Sequence, residues 1–444
     1  MDLKKVGLPS ILISMETLRD SLSYLPSSEI TELEEALARF PRAGALLDPW
    51  RISDEAFLKR YPNAQKHPHV PHAFLYEKDE YPLGKSFLFD VGAFYLQDPS
   101  AMMPAFLLSP KPGEIVLDMC ASPGGKSIGA HFLMGQDGIL VSNDVSYPRA
   151  LTLSQNLERF GVGNAIVTNE DLSLPHPSFE GRFDAILLDA PCSGMAMFRK
   201  NEAAKEEWSP AKVARFAEVQ EKLLDQAASY LSSGGRLLYS TCSFAYEENE
   251  GQIRAFLQRH PEFKTRPLSI DDPSFFHGSA IPEAVTLFPH RFPGEGQFLC
   301  LLQKEGTAPS INKEKGGRPG KKLDPLLLKY GLEGRHFEDF KGQIVSLPTS
   351  FDLPGTKILR KGLLCLDEKG KPCHALARFL PPEYALPLRE EQARLYLHGD
   401  AFPYPGEGYV VFRYENLVLG WAKIVNGMAK NHFPKGLRHL YPEL

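Results

Sequence analysis

The sequence predicts an α/β fold in which a parallel sheet carries helices on both faces, with a small domain before it and a small β-rich domain after it. Three observations lead there. Between about residues 114 and 244, short continuous apolar runs alternate with helical periods, as in strands buried on both faces. A polar stretch rich in Gly, Pro and Lys, residues 305–322 (EGTAPSINKEKGGRPGKK), lacks any apolar period and divides the chain as a flexible basic linker. The 444 residues, 43% hydrophobic and 11% aromatic, are enough for two or three domains and are neither disordered nor fibrous in composition.

In chain order, residues 1–85 are expected to form a small N-terminal domain packed on the sheet. Ile30 to Phe40 has helical spacing, whereas Tyr61 to His72 (YPNAQKHPHVPH) reads as loop. Residues 86–304 hold the sheet. Its strands are Ile115–Met119, Ile139–Val141, Ala165–Val167, Ala185–Leu188 and Arg236–Tyr239, and its helices are Lys126–Met134, Tyr147–Phe160 and a long one near Ala211–Leu231. Residues 323–444 contain strand-like pieces such as Tyr409–Arg413 and Leu417–Ile424, set among Gly, Pro and aromatic residues. No internal repeat is present.

Composition excludes several classes of protein. No apolar run approaches the roughly 18 residues of a membrane span. The start, MDLKKVGLPS, has Lys4 and Lys5 but only a short apolar run and no cleavage site, so a secretory signal is not expected. The six cysteines, at 120, 192, 242, 300, 365 and 373, form no CxxC pair, which argues against a structural zinc or a disulfide framework. His432 and His439 have no partner at ligand spacing, so no metal site is expected. A cytoplasmic protein follows, with monomer as the default. The net charge of −5 conceals a gradient: residues 1–303 carry 28 Lys and Arg against 39 Asp and Glu, and residues 304–444 carry 22 against 16. Such asymmetry suits a C-terminal part, net +6, that meets a polyanion, and equally suits a solvated surface with uneven charge.

The first strand runs into Cys120-Ala121-Ser122-Pro123-Gly124-Gly125-Lys126-Ser127 and then a helix. A Gly pair at such a turn lets the backbone approach a ligand, and the helix N-terminus favours a negative group. The loop is not a phosphate-binding G-x-x-x-x-G-K-[ST], because Cys120 stands at the first Gly. The G-x-G-x-x-G of dinucleotide folds is also absent. S-adenosylmethionine, which has a carboxylate, a ribose and an adenine but no phosphate, fits better. Asp144, at the end of the second strand and 19 residues after Gly125, suits the ribose hydroxyls, and Asp171, after the third, suits the adenine amine.

The fourth strand ends in Asp189-Ala-Pro-Cys192-Ser-Gly194 and the fifth in Ser240-Thr-Cys242-Ser243, so two thiols are expected in one cleft beside the methyl donor. A free cysteine is often only a small buried hydrophobe, which is the expectation for Cys300 and Cys365. C5 of cytosine supplies the reason for thiols at the rim, because it is too weak a nucleophile to take a methyl group directly. Attack of a thiolate on C6 enriches C5, a second base removes the C5 proton, and elimination frees the thiol. A protonated Asp189 at N3 would spread the developing charge. Methylation of an exocyclic amine needs no such nucleophile.

VLDMCASPGGKS, NLERFGVGNAIVTNED, DAPCSG, STCSFAYEENE and FPHRFPGEGQFLC, in that order over roughly residues 85–304, resemble the successive motifs of the Nol/Nop/Sun family of RNA (cytosine-5) methyltransferases. The resemblance implies a Rossmann-like class I methyltransferase fold with S-adenosyl-L-methionine as cofactor. It also implies that Cys242, in the T-C-S motif, is the nucleophile and that Cys192, in the P-C motif, assists product release; spacing alone does not say which thiol attacks. Cofactor contacts map onto Ala121, Ser122, Pro123, Gly124, Gly125, Lys126 and Ser127, with Asp144, Asp171 and Asp189. Gly420-Trp-Ala-Lys423 and Lys430-Asn-His-Phe-Pro-Lys-Gly-Leu-Arg438 resemble the PUA-like RNA-binding domain of the small-subunit rRNA branch, and Phe94 to Ser100 the family's lead-in to the cofactor loop. Where relatives read roughly G-L-R-V-N, this chain has Gly44-Ala-Leu-Leu-Asp48, with the Arg lost and Asp at the Asn position.

The partner implied is RNA, with 16S rRNA or the small ribosomal subunit expected first. The linker and the tail from Lys423 to Arg438 are candidate backbone clamps, with Phe433 among the aromatics for stacking. The competing readings are a tRNA cytosine-5 methyltransferase, an exocyclic-amine methyltransferase with a merely structural Cys242, and a catalytically silent RNA-binding assembly factor.

Overall fold

The computed structural model describes residues 19–39, 41–200, 202–307, 324–438 and 441. Lys4, Lys5, His439 and most of the 305–322 stretch lie outside them.

The apolar runs form the centre of a mixed sheet, nine-stranded among the described residues. Leu231–Thr241, Phe183–Asp189, Ile115–Asp118, Ile139–Asn143 and Ala165–Thr168 lie side by side in that order, all parallel. Successive side chains alternate between two cores. Leu117, Val141, Ile166 and Leu188 enter one, while Val116, Leu140, Val167 and Leu187 enter the other. Burial on both faces is why these strands read as unbroken apolar runs. The helices Gly125–Met134, Tyr147–Arg159 and Pro210–Tyr230 fall within one or two residues of their expected limits. Antiparallel Gln297–Lys304 extends the sheet on the Leu231–Thr241 side, with Phe263–Arg266 beyond it.

Pairing partners across the chain were not legible. The N-terminal sheet runs Gln65–Lys66, Ala73–Tyr76, Ala43–Leu47 and Phe94–Gln97, so it takes its last strand from beyond the boundary read at residue 85. Gly44 is required there, because a Cβ would stand 2.5 Å from the Gln97 carbonyl oxygen. The segment Gly44 to Asp48 is therefore sheet interior. Asp48 is buried, pairs with Arg51 at 2.9 Å and accepts the Trp50 N–H. Arg51 also donates to the carbonyls of Val91, Arg159 and Arg378, so this Asp anchors a junction of all three parts of the chain.

The C-terminal region is likewise divided. Ile358–Lys361 pairs antiparallel with Ala165–Thr168 and becomes the far edge of the central sheet. His336–Phe340, Gln343–Leu347 and Leu363–Leu366 form a three-stranded sheet, and the last part forms a five-stranded one around Gly408–Tyr414 and Leu417–Val425. Phe433 is 2% exposed, its ring packed against His374 and Tyr396, so it is core and not available to stack on a base. Among the described residues, no helix is long and apolar enough to cross a membrane.

Candidate active site

The C-terminal ends of the parallel strands make the rim at which open α/β sheets bind ligands. Gly124, with φ of +116°, precedes the helix Gly125–Met134, a conformation that L side chains rarely adopt. Gly125 is required by crowding, since a Cβ would lie 2.7 Å from the Tyr95 ring and 2.8 Å from Gln97. The loop is tied down on its outer side: Ala121 N–H donates to Asn143 (2.8 Å), Ser122 Oγ to the Arg149 carbonyl (2.9 Å), and Asn156 to the Pro123 carbonyl (2.8 Å).

Behind it, Ser127 Oγ donates to Asp118 Oδ2 at 2.7 Å. Among the described residues the other Asp118 oxygen is buried without a hydrogen-bond partner, and burial pushes that carboxyl up to about 7. The first turn of the helix has backbone N–H groups with no intrahelical partner, which suits a carboxylate. A ligand bearing a carboxylate at one end and a ribose at the other fits this cradle.

The two downstream acids stand across the same rim. Asp144 is 3% exposed, accepts the Ser146 N–H (2.9 Å) and pairs with Arg149 at 3.2 Å. Asp171 is exposed and closes a turn by accepting from Ser173 N–H and Oγ. Asn143 joins their loops: its amide donates to the carbonyls of Met119 (3.1 Å) and Glu170 (3.0 Å), and its oxygen accepts from Thr168 and the Glu170 N–H.

Further along, the Cys192 and Cys242 sulfurs are 3.1 Å apart. The bond to Cys242, burial, and the nearby Glu248 and Asp189 carboxylates hold the Cys192 thiol well above its ordinary pKa. Lys126 turns toward this side of the site, its ammonium 2.7 Å from Asp189 Oδ2. Burial alone would lower its pKa, but Asp189, Asp118 and Cys242 together raise it. Asp189 also accepts from Ser240 Oγ and the Gln297 amide, both at 2.8 Å. Each of these contacts is one that a carboxylate oxygen accepts.

Glu248 escaped the sequence reading. It is fully buried and accepts from Ser193 N–H (2.7 Å), Ser193 Oγ (2.5 Å), Ser243 Oγ (2.5 Å) and the Gln220 amide (3.1 Å). One carboxylate thus clamps the residue after each rim cysteine, and the serine following each thiol was the only signal of it. Cys300 and Cys365 are buried, as expected. Among the described residues, no group of three or more His, Cys, Asp or Glu is placed to hold a metal ion.

A family model described as 16S rRNA methyltransferase RsmB/F matches residues 105–303, and one described as the methyltransferase RsmF PUA domain matches residues 383–439. The ribosomal RNA small subunit methyltransferase F of Vibrio vulnificus (strain YJ016) is 31% identical over 403 residues, covering 82% of this chain and 83% of its own length. Its namesake from Vibrio cholerae (strain M66-2) is 28% identical over 477 aligned residues, covering 97% and 98%. A methyltransferase homolog protein from Pyrococcus horikoshii has 28% identity and a TM-score of 0.58, over 67% of this chain and 100% of that one.

Proposed function

From the premise that this chain belongs to the RsmB/F family of 16S rRNA methyltransferases, with the small subunit methyltransferase F proteins, we propose that it methylates C5 of cytidine in 16S rRNA through a covalent Cys242–C6 adduct. It is an S-adenosylmethionine-dependent RNA methyltransferase acting on ribosomal RNA. The observation that carries the finer reading is the Cys192–Cys242 pair, 3.1 Å apart beside the Lys126–Asp189 ion pair.

The residues divide the chemistry. The target base leaves its stack to reach the rim. Cys192 donates its S–H to Cys242 and so favours the thiolate there, and the Lys126 ammonium is the neighbouring positive charge. Cys242 attacks C6, and the C5–C6 π pair moves onto the ring. Lys126, held by Asp189, donates toward N3 and spreads that charge. When bound, S-adenosylmethionine supplies the electrophilic methyl group that C5 takes. Cys192 stays protonated beside the adduct: a solvent water takes the C5 hydrogen, the C5–H electron pair re-forms the C5–C6 double bond, the C6–S bond breaks, and Cys242 leaves as a thiolate that accepts the Cys192 S–H.

The cofactor contacts in this reading are the Ala121–Ser127 loop and helix start for the carboxylate end, Asp144 for the ribose and Asp171 for the adenine. The protein acts in the cytoplasm as a monomer, and its basic C-terminal part holds RNA by local patches.

Incubation with 16S rRNA and labelled cofactor, followed by bisulfite sequencing, tests the specificity. Label confined to 5-methylcytidine in 16S rRNA is expected. Label on an exocyclic amine, or in tRNA only, contradicts the reading.

A further inference from the structure

The third parallel strand, Ala165–Thr168, would be the exposed edge of the central sheet were it not covered by Ile358–Lys361, a strand from beyond the linker. The cover is anchored along its length. Gly362 N–H donates to the Ala165 carbonyl (2.8 Å), and Arg360, 7% exposed, reaches the Val162 carbonyl (3.1 Å) and Glu158 (3.2 Å). Arg335 donates to the Gly163 carbonyl (2.6 Å).

Lys357, at the start of this strand, lies over the rim where Asp144 and Asp171 stand. Its N–H donates to Glu170 Oε1 (2.5 Å), its carbonyl accepts the Asn169 N–H (3.0 Å), and its ammonium reaches Asn169 Oδ1 (2.7 Å). The ammonium also sits 4.8 Å from the centroid of the Tyr147 ring. The amide of Asn169 in turn donates to the carbonyls of Asp144 and Val145, both at 2.9 Å. A continuous set of bonds therefore runs from the C-terminal region, through Asn169, to the loop carrying Asp144, and separately to Glu170, the residue before Asp171. Loops held mainly by exposed hydrogen bonds open cheaply, so such a brace decides how well they are preorganised.

We propose that Lys357 is a positioning residue of the cofactor site, and that the strand it leads completes the adenosine end of that site from outside the methyltransferase segment. This rests on the reading of Asp144 and Asp171 as ribose and adenine contacts. By linkage, cofactor binding strengthens the docking of the Ile358–Lys361 strand to the same degree that the docked strand strengthens cofactor binding. The cofactor and the C-terminal part of the chain are then coupled through the docking of one strand.

The test uses the full chain and isothermal titration with S-adenosylhomocysteine and, separately, adenosine. Lys357→Ala and Asn169→Ala are each expected to weaken both ligands about three- to tenfold, and the double variant by less than the product of the two, because one brace is broken either way. KM for the cofactor rises by the same factor, while kcat at saturating cofactor and KM for RNA stay unchanged; Lys357→Arg restores most of the affinity. If Asp144→Asn and Asp171→Asn weaken binding but the Lys357 and Asn169 variants stay within about twofold of the parent, the brace is refuted. If the two aspartate variants themselves bind normally, the underlying placement of the cofactor is refuted instead.

Discussion

Cys192 and Cys242 meet at 3.1 Å although 50 residues separate them in the chain, because the strands that precede them are parallel neighbours paired Asp189 to Ser240. The bond to Cys242, with burial, pushes the Cys192 thiol well up. The thiolate is the reactive form, so iodoacetamide near neutral pH should modify Cys242 ahead of Cys192 by on the order of tenfold, read by peptide mass spectrometry. Faster modification of Cys192 would reverse the assigned roles.

Glu248 links the two thiol-bearing loops. Glu248→Ala leaves the donors of Ser193 and Ser243 without their acceptor in a buried place, and should cost about 2–4 kcal/mol in urea unfolding. It should also reduce turnover by on the order of 100-fold through misplacement of the thiols. Burial, only partly opposed by the serine and Gln220 hydrogen bonds, raises the Glu248 carboxyl above its ordinary value. Its protonated form is therefore favoured by the fold, and stability present at low pH is lost as pH rises through the raised pKa. Glu248→Gln should remove that pH dependence and lose less activity than Glu248→Ala.

Asp48 makes a similar but separate prediction. Burial pushes it up to about 6 from an ordinary 3.8, against the pull of Arg51. The folded state holds this proton more tightly than the unfolded chain does, so the stability it contributes is complete below pH 3.8 and lost by pH 6. Unfolding free energies of the parent and Asp48→Asn, compared at pH 4 and pH 7, should diverge by about 2–3 kcal/mol in favour of the variant at the higher pH. Parallel curves would contradict the assignment.

RNA contact by the C-terminal part should be electrostatic and local. Lys423 and Lys430 face each other across the strand pair Leu417–Val425 and Met428–Asn431, and both are exposed. Replacing both with Ala should weaken rRNA binding and lower the slope of log affinity against log salt by about 1–2. Phe433→Ala should act differently. As a buried ring it should lower thermal stability and leave the salt slope unchanged.

The parts of this fold legible in the sequence were those set by local pattern. Ile115–Asp118 and its parallel neighbours announce themselves as apolar runs, and Gly124-Gly125 marks the turn between strand and helix because backbone geometry leaves little choice. The rim thiols were legible for the same reason, each sitting one or a few residues beyond a recognisable strand. Long-range pairing was not. Phe94–Gln97 belongs to the N-terminal sheet and Ile358–Lys361 to the central one, and neither carries a local mark of its partner. Glu248 was hidden because its role lies in what it accepts from Ser193, 55 residues earlier in the chain. The surroundings of Asp189 were hidden for a related reason, since Lys126, Ser240 and Gln297 converge on it from three separate elements.

The covalent mechanism is tested most directly by mixing 16S rRNA and S-adenosylmethionine with Cys192→Ala and Cys242→Ala proteins, then resolving protein–RNA adducts on denaturing gels alongside methyl transfer. Cys192→Ala should accumulate a covalent RNA adduct, and Cys242→Ala should show neither adduct nor methyl transfer. Near-normal methylation by Cys242→Ala would contradict the Cys242–C6 adduct outright.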